Sequence, residues 1–122
     1  MPTDYVIDVP RRVIFSTTTG NSSLQEIKEH HTRLMQDPSF APSFNQLLDL
    51  RQLEGHNATT ADLMALAERN VFGAGSRRAI VVSQDVHYGL ARMFEMMRQG
   101  EEEIMVFRDI AEARQWLGLE NT

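Results

Sequence analysis

The sequence predicts one α/β domain built on a mixed, mostly parallel five-stranded sheet. After an initial pair of strand-like runs, strand-like and helix-like segments alternate, which gives the order β-β-α-β-α-β-α-β-α. Such alternation is typical of crossover units around a parallel sheet. The run AIVV at residues 79–82 is continuously apolar, as in a strand covered on both faces. The 122 residues suffice for one core, so we expect a single domain over residues 1–122.

The first two strands are predicted to form a hairpin. Residues 5–9 are short and rich in β-forming side chains, and Pro10 breaks the run. Residues 12–18 are rich in β-branched side chains and follow closely enough to be the hairpin partner. The first strand is therefore expected to run antiparallel to the second.

The first helix is predicted by a cap and by an apolar stripe. Ser23 can cap it, with Glu26 three residues later, and Pro38 ends it after about Asp37. Five side chains follow helical spacing and are expected to face the core. They are Leu24, Ile27, His31, Leu34 and Met35.

The middle of the chain predicts a short strand and a second helix. QLLDL at residues 46–50 is a short apolar strand, and residues 55–58 are expected to form a loop. The second helix is expected to begin at Thr59 or Thr60 and to end near Asn70. Its inward side chains are predicted to be Leu63, Leu66 and Ala67.

The C-terminal part predicts two further helices around a second fully apolar strand. Ser83 or Asp85 is expected to cap the third helix, and IMVF at residues 104–107 is expected to be buried on both faces. Asp109 and Glu112 have the spacing of a cap for the last helix. Right-handed crossovers should place helices on both faces of the sheet. The core stripe of the third helix is predicted to be Val86, Leu90, Met93, Phe94 and Met97.

Composition excludes several classes of function. The chain has no cysteine, so it cannot be a disulfide scaffold, a thiolate enzyme or a protein with cysteine-ligated metal. Its 12 basic and 17 acidic residues give a net charge of −5, which argues against a nucleic-acid partner. No signal peptide is recognised at the start, and no apolar run approaches the ~20 residues of a membrane span. We therefore expect a cytoplasmic protein without a membrane span.

The four histidines form no recognisable metal motif. Glu26 and His30 share a helix face, but two ligands fall short of the roughly four that structural metal sites need. His31 lies on the apolar stripe and is predicted to be a core or rim histidine with one hydrogen bond. His56 is predicted to lie in a loop, and His87 completes the set.

Other polar residues have structural interpretations. Asp49 lies in an apolar strand, where Arg51 or a backbone amide is its simplest partner. Arg77 and Arg78 enter the next strand, and one of the two is expected to point to solvent, with an anion contact as an alternative role. The acidic residues at 101–103 are expected to form a solvated turn.

No catalytic or cofactor site is assembled in the sequence. GAGS at residues 73–76 precedes a strand, whereas a phosphate-binding loop follows a strand and opens a helix. The serines lack the G-x-S-x-G setting of an esterase. We therefore expect no metal, no cofactor and no enzymatic activity.

Several segments together resemble the STAS-type fold, most closely its SpoIIAA-like branch of small bacterial proteins. The resemblance covers almost the whole chain, but its motifs are loose and support fold more than function. Members of this branch are largely uncharacterised. The resemblance is carried by Tyr5 with RVIF at 12–15, DPSF at 37–40, LDLR at 48–51, FGAGSRRA at 72–79, GLARMF at 89–94, VFRD at 106–109 and WL at 116–117.

The resemblance implies a regulatory site that this chain only partly retains. Anti-sigma factor antagonists, which give the branch its name, act by protein contact and carry a phosphoacceptor serine in a D-S-S-G-L-like turn. The resembling segment here begins with Thr59 and Thr60, and the phosphoacceptor position falls on Ala61. Asp62 replaces the glycine and would repel a phosphate. Thr59, Thr60 and Asp62 remain the candidate regulatory or interaction residues, with a helix cap as their structural interpretation.

Two functions follow as expectations. The first is a non-enzymatic regulatory or protein-interaction domain whose partner is another protein or a second copy of the chain. The second is a carrier or sensor for a small apolar ligand or lipid, because CRAL-TRIO lipid-transfer domains are named beside this superfamily and the chain carries 6 Phe and 7 Met.

Overall fold

The computed structural model describes residues 3–56 and 59–119, which form a five-stranded sheet and four helices. The element order and the α/β class predicted from the sequence are confirmed. The elements are β1 (Thr3–Asp8), β2 (Val13–Ser22), α1 (Leu24–Gln36), β3 (Asn45–His56), α2 (Thr60–Ala67), β4 (Arg77–Val81), α3 (Asp85–Met97), β5 (Glu103–Phe107) and α4 (Ile110–Trp116).

The strands lie in chain order across the sheet, β1-β2-β3-β4-β5. β1 is antiparallel to β2, as predicted, and all other pairs are parallel. Each parallel crossover steps to the next strand in the same direction, so right-handed connections place α1, α2 and α3 on one face. α4 packs on the opposite face, where Val13, Ala79 and Ala113 share a core. Helices therefore cover both faces, as expected, but in the ratio of three to one.

β2 and β3 extend well beyond the predicted strands. Their pairing continues to the contact of Ser22 with His56, so the loop predicted at residues 55–58 is wrong for Gly55 and His56, and residues 57–58 lie outside the described part. Asn21 lies opposite Gly55 in this extension. A Cβ atom on Gly55 would lie 2.6 Å from the Asn21 Oδ1 atom, so a larger residue at position 55 would require the Asn21 side chain to move.

Some predicted burial patterns are wrong. β5 is an edge strand, and Met105 is 44% exposed, so this strand is not covered on both faces. On α3, Leu90 and Phe94 line the three-helix side as predicted, but Val86 is 57% exposed, and His87 and Ala91 are buried in addition. On α1, Met35 is half-exposed and His30 is buried instead. The apolar spacing thus predicted the helices and most of their inward residues, but not the residues at the margins of each buried face.

The helix caps are local features and are mostly as predicted. The Ser23 hydroxyl accepts a hydrogen bond from the Glu26 amide, and the Asp109 carboxylate accepts one from the Ala111 amide. α3 differs, because its N-cap is Gln84, which makes no side-chain capping bond, while Asp85 forms an ion pair with Arg108 at 2.7 Å. Within residues 3–56 and 59–119, no helix has the length and apolar character needed to cross a bilayer.

Candidate functional site

A cavity of about 160 Å³ lies between the sheet and the three helices α1, α2 and α3. Most of its wall is aliphatic, because leucines on the inner face of β3 meet leucines on α2 and α3. Contributing apolar side chains include Leu48 and Leu50 from β3, Leu63 and Leu66 from α2, and Leu90 from α3. The apolar wall makes this space suited to a hydrophobic molecule.

One side of the cavity is polar. His30 and His31 reach it from α1, Gln46 from β3 and Arg78 from β4. The sheet register explains the last two residues, since Gln46 lies beside Arg78 and both face the three-helix side. Four polar groups from three elements therefore converge on one side of a mostly apolar space.

A chain of buried hydrogen bonds crosses the sheet behind this polar side. Arg78 Nε donates to Gln46 Oε1 at 3.1 Å, and Gln46 Nε2 donates to Ser16 Oγ at 3.3 Å. The Ser16 Oγ atom lies 3.3 Å from His30 Nε2. All four residues are less than 9% exposed, so this hydrogen-bond network is shielded from water. In such a network each hydrogen bond polarises and strengthens the next one.

Arg78 is neutralised by a buried acid. Its Nη1 atom lies 3.1 Å from Glu102 Oε2, and Arg98 Nη2 lies 3.0 Å from Glu102 Oε1. The side chains of Arg78, Arg98 and Glu102 are 7%, 4% and 0% exposed. The Arg78 guanidinium also lies 4.5 Å from the Phe72 ring centre. Two arginines thus share one carboxylate, which leaves this cluster with a net positive charge.

The solvated acidic turn predicted at residues 101–103 is wrong for Glu102. Burial opposes ionisation of Glu102, but hydrogen bonds from Arg98 and the charge of Arg78 outweigh it and lower the pKa. The prediction for the arginine pair is confirmed, because Arg78 points inward while Arg77 is exposed and pairs with Glu103 at 3.1 Å.

The two α1 histidines that line the cavity are held neutral. Burial lowers the pKa of His30 to about 4, helped by the positive charges of Arg33 and Arg78. Burial likewise lowers the pKa of His31 to about 3, with contributions from Arg78, His30 and Arg69. His31 Nδ1 accepts a hydrogen bond from Arg69 Nε at 3.2 Å, which confirms the prediction of a core histidine with one bond.

Two buried polar atoms that belong to cavity-lining residues lack a hydrogen-bond partner within the described residues. They are His30 Nδ1 and Ser22 Oγ. Buried polar groups are nearly always paired, and an unpaired one costs free energy. These atoms therefore give the cavity wall unused hydrogen-bonding capacity.

The residues singled out by sequence as regulatory form a helix cap. The Thr59 hydroxyl accepts from the Asp62 amide at 3.1 Å, and the Thr59 amide donates to the Asp62 carboxylate at 3.0 Å. Thr60 is exposed at the start of α2. The structure does not bring these residues into the polar side of the cavity, although the next residue, Leu63, lines its wall. A regulatory or interaction role of these three residues stays a prediction.

Other candidates are resolved by their contacts. Asp49 receives two hydrogen bonds from the Arg51 side chain, as predicted, which holds its pKa below the usual range. Glu26 accepts a hydrogen bond from Ser23, whereas His30 faces Ser16. Across the described ranges, no group of three or more His, Asp or Glu side chains is placed to hold a metal. The His56 side chain lies outside the described residues.

Sequence reasoning missed the roles of Gln46, Arg78, His30 and Glu102 in the polar cluster, although two signals could have identified the first three. Alternate residues of a strand lie on the same face of the sheet. Gln46 is therefore on the face of Leu48, and Arg78 is on the face of Ile80, which is the face that the helices cover. His30 lies three residues after Ile27 on the stripe that also holds His31. Glu102 carries no local signal, because its partner Arg78 is 24 residues away.

Comparisons with known proteins place the fold. No protein-family model matches the chain, and no curated protein matches it either. A crystal structure of an uncharacterised protein of the DUF3478 family with a SpoIIAA-like fold, from Shewanella loihica PV-4, is 20% identical with a TM-score of 0.64. The match covers 94% of this chain and 93% of that one. The SpoIIAA-like fold implied by the resemblance is thereby confirmed.

Proposed function

We propose that this domain binds a small, largely apolar molecule in the cavity beneath α1, α2 and α3, and that it acts by binding rather than by catalysis. The observation that carries the proposal is an aliphatic cavity with the unpaired polar atoms His30 Nδ1 and Ser22 Oγ on its lining residues. Apolar area supplies affinity in such sites, and a few polar atoms orient the ligand.

The volume limits the class of ligand. An engineered apolar cavity of about 150 Å³ in another protein binds benzene. The cavity here is of similar size at about 160 Å³, so its occupant should have about seven non-hydrogen atoms. A lipid with a long acyl chain needs several times this space. The proposal therefore narrows the expected apolar ligand to a compact ring or branched body.

A binding role fits the polar residues better than a catalytic one. The closest approach to a nucleophile–base pair is Ser16 with His30, at 3.3 Å. Ser16 is only 1% exposed, and it is not one of the residues that line the cavity. Its hydroxyl also accepts a hydrogen bond from Gln46. A substrate in the cavity would not reach this oxygen, as nucleophilic catalysis requires.

The test of ligand binding is a titration with methylenecyclohexane, a compact hydrocarbon of the right size. Backbone amide NMR signals of α2 and α3 near Leu63, Leu66 and Leu90 are expected to shift and saturate. The variant Ala91→Leu places a larger side chain in the cavity wall and should abolish the saturation.

The matched control is Gly89→Ala on the same helix. Gly89 is exposed, and a Cβ atom there would meet no atom within 4 Å. This variant should bind the probe as the wild type does. Absence of saturable shifts in the wild type, or equal binding by Ala91→Leu, would overturn the proposal.

A second proposal keeps the interaction role, with a second copy of this chain as the partner. It is supported by β1, an edge strand of the described sheet that carries Val6 at 66% exposure. Edge strands are ready to pair with another chain. We expect the protein to dimerise in sedimentation velocity at micromolar concentrations and Val6→Lys to make it monomeric. A wild-type protein that stays monomeric at every concentration would contradict this role.

A further inference from the structure

We infer that the cavity selects a molecule with an oxygen hydrogen-bond acceptor, because its wall residue His30 carries an Nδ1–H donor that has no partner in the described part of the chain. This inference rests on the proposed function and specifies the chemistry of its ligand. The ligand class is a compact apolar body that carries a carbonyl or carboxylate oxygen. The argument follows the direction of each hydrogen bond from Arg78 to the ring of His30.

The direction of the chain is fixed at Arg78. A guanidinium has only donors, so the Gln46 atom that faces Arg78 Nε at 3.1 Å must be the amide oxygen. The amide nitrogen of Gln46 then faces Ser16 Oγ, at 3.3 Å. Since an amide nitrogen only donates, the Ser16 oxygen accepts this bond.

The remaining proton positions follow. Of the two side-chain partners of Ser16 Oγ among the described residues, the Gln46 amide nitrogen cannot accept a proton, so the hydroxyl donates to His30 Nε2, at 3.3 Å. A neutral imidazole has one donor and one acceptor nitrogen, so an accepting Nε2 places the ring proton on Nδ1. His30 Nδ1 is the buried atom that lacks a partner within the described residues. The chain of hydrogen bonds thus ends in a donor on a residue of the cavity wall.

The charges around His30 favour the same ligand. Arg33 and Arg78 are the charged neighbours that act on its ring, and both are positive. Glu102 is shared between Arg78 and Arg98, so it does not cancel this excess. A ligand oxygen with partial or full negative charge is stabilised by this field, whereas a second donor or a cation is opposed.

The tautomer can be measured without a ligand. Long-range nitrogen–proton NMR of the histidine rings at pH 7 is expected to show the His30 proton on Nδ1, the less common tautomer of free histidine. A proton on Nε2 would overturn the inference. The variant Gln46→Glu offers only acceptor oxygens to Ser16, so Ser16 should donate to residue 46 and the His30 proton should move to Nε2.

The control for this variant is Gln52→Glu. It makes the same change at an exposed position of the same strand and should leave the His30 tautomer unchanged. An identical tautomer in wild type and Gln46→Glu would contradict the relay, because the direction of the bonds would then not depend on residue 46.

Ligand selection is tested with two isosteric probes, cyclohexanone and methylenecyclohexane, and with cyclopentanecarboxylate as the anionic arm. His30→Phe should weaken binding of the ketone about five- to tenfold more than binding of the alkene, the usual effect of one lost hydrogen bond. For each probe, the affinity for His30→Phe is divided by the affinity for the wild type. The different hydration free energies of the two probes cancel in this ratio. Gln46→Glu serves the same purpose if His30→Phe does not fold, and it should weaken the ketone while favouring cyclohexanol.

The outcomes separate the two proposals. If neither the alkene nor the oxygenated probes bind, the proposed function itself fails. If the alkene binds but the His30 and Gln46 variants affect the alkene and the ketone equally, the cavity is a ligand site without acceptor selection, and only this inference fails. Tighter binding of the carboxylate than of the ketone would show that the accepting oxygen of the preferred ligand belongs to a carboxylate.

Discussion

Glu102→Gln is expected to lower the free energy of unfolding by about 3–5 kcal/mol, the cost of removing one partner from a buried ion pair. The Glu102 side chain is fully buried between Arg78 and Arg98, so the neutral amide would leave two buried guanidinium groups without a counter-charge. Small domains are stable by about 5–15 kcal/mol in total, so this variant should be close to unfolding. Urea denaturation at pH 7, followed by circular dichroism, measures the difference.

The neighbouring glutamate provides the control. Glu101 is exposed in the same turn, so Glu101→Gln removes the same charge from the chain without uncovering a buried cation. Its effect should stay within about 0.5 kcal/mol, as for most surface substitutions. Similar effects of the two variants would show that net charge, rather than the buried arginine cluster, determines stability here.

The parts of the fold that were predictable depend on short-range patterns. Ser23 with Glu26 and Thr59 with Asp62 are caps closed within three residues, so their spacing in the sequence is enough to identify them. Strand and helix order followed from alternating segments for the same reason. The edge position of β5 could not be predicted, because the apolar sequence of residues 104–107 does not indicate whether the strand pairs on one side or on both.

The candidate site was harder to predict because its contacts are long-range. Ser16 meets His30 across 14 residues and Gln46 across 30, and Arg78 meets Glu102 across 24. Glu102 has acidic neighbours on both sides that remain exposed, so composition cannot distinguish the buried one. Only the sheet register, which sets Gln46 beside Arg78, turns these separate polar residues into one cluster.

Mild acid is expected to destabilise the protein steeply. The pKa values of His30 and His31 are lowered from 6.5 to about 4 and about 3, so the unfolded chain binds their protons at a higher pH than the folded one. Stability therefore rises with pH in this window and is lost as the pH falls below the unfolded value. For two histidines the loss should be about 2 kcal/mol between roughly pH 6 and pH 5. Urea denaturation at several pH values gives this slope.

The variant His31→Leu separates the histidines from the carboxylates. The carboxyl groups with lowered pKa, Asp8, Asp49 and Glu102, have unfolded values of 3.8, 3.8 and 4.5, so their contribution is lost below the histidine window. Between roughly pH 6 and pH 5, His31→Leu should therefore halve the slope whatever its effect on stability at pH 7. A slope equal to that of the wild type would mean that His31 takes up its proton in the folded state, and that the cavity is open enough to water to hydrate an imidazolium.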